Sequence, residues 1–233
     1  MLMRTPLAPK LRSTRRTKKL ASSPAKRLPG HERQRMIVDE AIRFFAEFGF
    51  EGQTRALAKR LGVTQPLLYR YFPDKESLVE RVYEEVYLRR WNPAWEDLLR
   101  DRSRPLHQRL CVFYEEYANA IFSYEWVRIF MFGGLRGVNI NKRYLSIIRD
   151  HVLLPICREV RAAAGLDEAD PPITEGEVEC AWALHGGIFY IAIRRWVYGL
   201  PVVHPIEATI ETQVSTFLEG APKAIRGIVE SGR

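Results

Sequence analysis

The stretch TRALAKRLGVTQPLLYRYF, residues 54–72, decides how the chain is read. Two short helical patterns flank a tight turn at Gly62-Val63-Thr64, the layout of a helix-turn-helix. Ala58 is small, so the two helices can cross closely. Gly62 supplies the backbone freedom the turn needs. Val63 and Leu68 plug the space between the helices. Thr64 caps the second helix, and Pro66 in its first turn gives up no internal hydrogen bond. In such a motif the start of the second helix enters the major groove of DNA. The candidate readers are therefore Thr64, Gln65, Pro66 and Leu67, with Tyr69 and Arg70 on the exposed face. Gln65 suits adenine, Arg70 suits guanine or a phosphate, and Leu67 suits a thymine methyl. Around them Thr54, Arg55, Tyr69, Tyr71 and Lys75 are candidate phosphate ligands.

The flanks are helical too. Ile37, Ala41, Phe44, Phe45 and Phe48 form one apolar stripe, and Gly49 is placed to end that helix. The spacing predicts a second helix over 55–61 with Thr54 as its cap, and a third from Thr64 to near Phe72. Pro73 then breaks the chain. Asp74 caps a fourth helix carrying Leu78, Val79, Val82 and Val86. Asn92-Pro93 marks the expected end of this small domain. Beyond it no strand pattern emerges. Pro105 opens a helix with Leu110, Tyr114, Tyr117 and Ile121 on one face. Asn141 is expected to cap a long helix that Pro155 kinks and Gly165 closes. Residues 174–198 are apolar on two faces and so should be buried on both sides. A last long helix, 206–219, should stop at Gly220, with Pro222 starting a short final one. The expected fold is all-α with about nine helices. It divides into a basic arm (1–30), a helix-turn-helix DNA-binding domain (31–91, motif at about 53–72) and a C-terminal effector-binding and dimerisation domain (92–233).

The net charge of +8 is unevenly placed. Residues 1–30 hold nine of the 36 Lys and Arg and no acid, which leaves 27 bases against 28 acids elsewhere. The basic balance thus belongs to the arm, and the DNA reading rests on the motif. The arm reads equally as a minor-groove ligand, as a solvated tail adding nonspecific affinity, or, being acid-free, as a transit segment. Cys111, Cys157 and Cys180 form neither a disulfide framework nor a metal pair, which fits a reduced cytosolic home. The apolar run from Gly186 to Ile193 is far short of the ~20 residues a bilayer requires. No metal, cofactor or membrane partner is expected.

Taken together, the run FFAEFGF (44–50), Thr54, Leu57-Ala58, Gly62-Val63-Thr64, LYRYF (68–72) and DKESL (74–78) resembles the N-terminal domain of tetracycline-repressor-type (TetR family) regulators. The resemblance spans about His31 to Arg90 with the spacing kept. It implies a cytoplasmic homodimer whose two recognition helices dock in successive major grooves. It also implies a C-terminal pocket whose ligand changes the spacing of the readers. Thr54, Tyr69, Tyr71 and Lys75 match positions that commonly hold phosphates, and Gln65, Leu67 and Arg70 match base-reading or groove-facing ones. Arg55 stands where the family often has a second hydroxyl residue. Family habit points to repression.

In the C-terminal part Phe113, Tyr114, Tyr117, Trp126, Phe130, His151, Trp182, His185 and Phe189 are candidate pocket residues, suited to a small apolar or aromatic effector with a few polar contacts. Ala181, Leu184, Ile188, Ile210, Val214 and Phe217 are candidate dimer contacts. A C-terminal part that only dimerises or binds a protein partner is the alternative. An enzyme is not expected: there is no nucleophile elbow, phosphate loop or metal cluster, and only a Cys111–His107 pair at i, i+4 hints at nucleophilic chemistry.

Overall fold

The computed structural model describes residues 29–137, 139–168, 170–203 and 205–231. The basic arm lies outside them apart from Pro29 and Gly30. Among the described residues every regular element is helical: α1 (Gly30–Phe48), α2 (Thr54–Arg60), α3 (Gln65–Tyr71), α4 (Lys75–Val86), a 3₁₀ turn (Leu88–Arg90), α5 (Ala94–Arg100), α6 (Leu106–Ile121), α7 (Tyr124–Leu135), α8 (Asn139–Ile148), a π turn (Arg149–Leu153), α9 (Leu154–Ala163), α10 (Glu175–Trp196) and α11 (Ile206–Ser231). No described helix is long and apolar enough to cross a membrane.

α1, α2, α3 and α4 make a small bundle whose core is Ile37, Ala41, Phe45, Leu57, Leu68, Leu78 and Val82. Phe48 was expected in that core but is 57% exposed. The chain turns at Gly49 (φ 68°) and Phe50 fills the place instead, its ring 5.1 Å from Phe45. Asp74 caps α4 as expected, in a reciprocal box with Ser77.

α6 is the centre of the larger part. Leu110, Phe113, Tyr114, Tyr117 and Ile121 are all buried against neighbouring helices, each such side chain contributing roughly 1.5–3 kcal/mol. α6 packs on α5 and α11, and α10 on α7, α9 and α11.

Three boundaries differ from expectation. Asn141 does not cap α8, which starts at Asn139. It lies inside the first turn and donates its amide to the Phe130 carbonyl at 2.9 Å. Pro155 does interrupt its helix, and the interruption takes the form of the π turn. The Leu154 N–H reaches back to the Arg149 carbonyl, and the wider turn makes room for a proline that has no N–H. α11 runs straight past Gly220 and Pro222 to Ser231. Its buried row Ile210, Val214, Ala221, Ile225 and Val229 continues in register across the proline, so packing outweighs the lost backbone bond.

Candidate nucleic-acid interface

The turn of the motif is built as the residues dictate. Gly62 sits at φ 67°, and the Val63 N–H closes the turn on the Ala58 carbonyl at 3.0 Å. The Thr64 hydroxyl accepts from the Leu67 N–H at 3.4 Å and starts α3. Leu57, Ala58 and Leu68 are buried between the helices, and Tyr71 packs partly on the same core. This leaves Arg55, Thr64, Pro66, Tyr69 and Arg70 exposed, with Thr54, Gln65 and Leu67 half-buried beside them.

Thr54 is not the cap of α2. Gln53 holds that place, and Thr54 is the first helical residue. Its hydroxyl is drawn sideways by α3: it lies 2.9 Å from the Tyr69 hydroxyl and accepts from Gln65 Nε2 at 3.1 Å. Three expected DNA contacts therefore bind one another and fix the α2–α3 angle. Gln65 keeps its Oε1 and one N–H for a base edge. Lys75 stands at the start of α4, but its ammonium is turned to the Phe50 carbonyl, with two further donors left over.

The cations of this face are not equivalent. Arg60 is held by Glu40 and Glu47 of α1, and the carboxylate hydrogen bonds raise its pKa. Among the described residues no carboxylate pairs with Arg55, Lys59 or Arg70 within 4 Å. Arg55 and Lys59 border one concavity with Gln53, Val63 and Gln65. Lys59 was missing from the sequence-derived set, although its i, i+4 spacing from Arg55 on a short helix carried the signal.

In the C-terminal part the candidate pocket residues form a continuous aromatic core. Tyr117 lies 5.3 Å from His185, Trp126 5.2 Å from Phe130, and Phe130 5.5 Å from Phe189. Trp182 flanks His185 at 5.7 Å. Burial pushes the His185 pKa down to about 4, so the ring is neutral at pH 7. His185 Nδ1, the Tyr114 hydroxyl and Trp126 Nε1 are buried there without a hydrogen-bond partner, an unusual concentration for one core. His151 is not part of this cluster. It is 44% exposed, bonds Glu96 at 2.5 Å and faces Trp91. The π turn that carries it points it to the other side of the helix. A cleft of about 140 Å³ between α6, α10 and α11 is lined by Ala118, Phe122, Ile191, Trp196 and Ile206, and by none of the candidate residues.

The candidate dimer contacts divide. Ala181, Ile188, Ile210 and Val214 are 0–1% exposed within the single chain and belong to its own core. Leu184 and Phe217 line an open groove between α10 and α11 with Ala183, Gly187, Thr212, Gln213 and Thr216. α10 is apolar on two faces, and the face richer in bulky residues turned inward.

The Cys111–His107 pair does not make a nucleophile. His107 Nε2 bonds Ser215 Oγ at 3.0 Å and is 3.9 Å from the sulfur. Burial, with Glu115 and Glu211 nearby, raises the Cys111 pKa, the opposite of what an activated thiol needs. Cys111 is therefore expected to alkylate with iodoacetamide at pH 7.5 more slowly than a free cysteine. Mass spectrometry of the timed reaction checks this, and faster labelling than free cysteine would overturn it.

Residues 37–82 match the family model described as bacterial regulatory proteins, tetR family. The whole fold is similar to several solved structures. A TetR-like transcriptional regulator from Rhodococcus sp. RHA1 is 19% identical, with a TM-score of 0.61 over 83% of this chain and 100% of that one. A transcriptional regulator from Pseudomonas aeruginosa PAO1 is 18% identical, with a TM-score of 0.59 over 85% and 96%. One from Mesorhizobium loti is 16% identical, with a TM-score of 0.56 over 83% and 98%. At such identities the likeness speaks for the fold, while the matched segment is the one that holds the reader helices. By that segment, set in that fold, the chain belongs to the tetR family of bacterial regulatory proteins.

Proposed function

We propose that this DNA-binding regulator is a ligand-responsive repressor that binds a pseudo-palindromic operator as a homodimer in the cytoplasm. The observation that carries the reading is the exposed row on α3 beside the uncompensated Arg55, Lys59 and Arg70. Gln65 and Arg70 read base edges, Pro66 and Leu67 meet the groove, and Thr54, Arg55, Thr64, Tyr69, Tyr71 and Lys75 hold the backbone. Residues 31–91 serve as the reader and 92–233 as the sensing and dimerising part, with no catalytic role.

The second subunit docks on the α10–α11 groove. Its small residues Ala183 and Gly187 permit close helix approach, and Tyr190 beside them is 48% exposed. The effector is a small apolar or aromatic molecule in the aromatic core. The unpartnered Tyr114, Trp126 and His185 atoms favour one that carries hydrogen-bonding groups and no charge. Its binding favours a conformation in which the readers are mis-spaced, and DNA is released.

Selection of bound sequences from random duplex DNA at several salt concentrations, with sedimentation of the free protein, tests the proposal. A two-fold motif and a dimer mass are expected. Binding that is salt-sensitive but sequence-independent removes the reader role.

A further inference from the structure

The reader bundle is held by the C-terminal helices at two places of different character. α1 lies on α7, where Arg128 Nε donates to the Ala46 carbonyl at 2.6 Å and Arg136 pairs with Glu51. Phe45, Ala46 and Ile129 are buried around this contact, and any Cβ at Gly49 would meet the Phe132 ring at 3.0 Å. Such a packed contact serves as a pivot rather than a switch.

α4 is held by two successive residues of α8 that face opposite ways. Arg143 reaches outward: Nη1 donates to both Glu80 carboxylate oxygens at 2.8 Å, and the guanidinium lies 4.3 Å above the Tyr83 ring. Arg143 and Glu80 are 47% and 48% exposed, so this grip is weak and readily exchanged. Tyr144 reaches inward. Its ring is 5.4 Å from Tyr87 of α4 and 5.2 Å from Trp126, and its hydroxyl bonds that of Tyr117 at 3.1 Å. Just beyond these residues the regular helix gives way to the π turn, a break that often marks a functional hinge. A short lever thus joins the aromatic core at one face and α4 at the other.

We propose that Arg143 and Tyr144 are positioning residues that set the angle of α4, and through it the spacing of the recognition helices, according to what occupies the aromatic core. The inference rests on the operator and effector reading above. An effector group that takes the Tyr117 hydroxyl frees Tyr144. The α8 turn then shifts, Arg143 with it, and α4 swings about the α1–α7 pivot.

The test uses duplexes carrying two selected half-sites at varied spacing, with single half-sites alongside. Wild type is expected to prefer one spacing. Arg143→Met and Tyr144→Phe should flatten that preference about fivefold or more, with single half-site affinity unchanged. A merely destabilising change would lower both together. Arg100→Met, which breaks the exposed Glu96–Arg100 pair on α5, should keep the wild-type profile. If both α8 variants keep the wild-type spacing ratio, the positioning role is gone and the operator reading stands. If wild type itself prefers no spacing, the dimeric-reader reading falls and takes this inference with it.

Discussion

Replacing Arg161 with methionine destabilises the protein by roughly 3–5 kcal/mol, because it strands a buried carboxylate. Arg161 on α9 and Glu177 on α10 are both 0% exposed and joined by two hydrogen bonds, at 2.5 and 2.7 Å. The guanidinium also donates to the Asp167, Pro171 and Pro172 carbonyls. Glu177 in turn accepts from the Thr174 N–H and hydroxyl, both at 2.9 Å, and so closes the cap of α10. One pair thus pins α9, the loop that follows it and the start of α10. At ~2–4 °C per kcal/mol for a chain of this size, the melting temperature falls on the order of 10 °C by calorimetry. Glu177→Gln costs less, since an amide keeps part of the bonding.

The same pair sets an acid limit. Burial pushes the Glu177 carboxyl up, but the Arg161 and Thr174 donors outweigh it and hold the pKa below the ordinary value. Its stabilisation is complete above the unfolded pKa of about 4.3 and is lost as pH falls through the lower folded value. Wild type therefore loses stability more steeply than Glu177→Gln on acidification below about pH 4. An unchanged melting temperature in Arg161→Met would falsify the account.

Removing Arg70 weakens binding to the selected operator by about 1–3 kcal/mol, on the order of tenfold to a hundredfold in Kd, and relaxes preference at one base position. Nonspecific duplex loses less. Arg70 is exposed on α3 and no described carboxylate neutralises it. The neighbouring cations sharpen the test. Lys59→Ala should reduce the slope of log K against log salt by about 0.9, one released counterion. Arg60→Ala should leave that slope as it is, because Glu40 and Glu47 already neutralise the guanidinium. Equal slope changes for Lys59 and Arg60 would mean that the exposed basic face is wrongly drawn. Titrations of labelled operator at four or five salt concentrations decide it.

Much of the reader was legible before any coordinate, because its determinants are local. A glycine at positive φ, a hydroxyl three residues ahead of an N–H and a proline in a first turn act within one turn of chain. Gly62, Thr64, Pro66 and Asp74 accordingly do what their residue types announce. Thr54 and Lys75 were assigned outward-facing roles, but each found a partner across the fold, Tyr69 on α3 and the Phe50 carbonyl. No spacing rule contains those contacts.

The C-terminal part shows the same division more sharply. By itself the sequence determined that it is helical, where α10 begins, and that α10 carries two apolar faces. Which face meets the chain's own core depends on α6, α9 and α11, and so only the tertiary structure turned Ile188 inward and left Ala183 and Gly187 at the groove. It likewise carried α11 through Pro222, absorbed Pro155 in a π turn and sent His151 away from the aromatic core. Periodicity records how much surface a helix must bury. The neighbour that buries it is set by the packing of the whole chain.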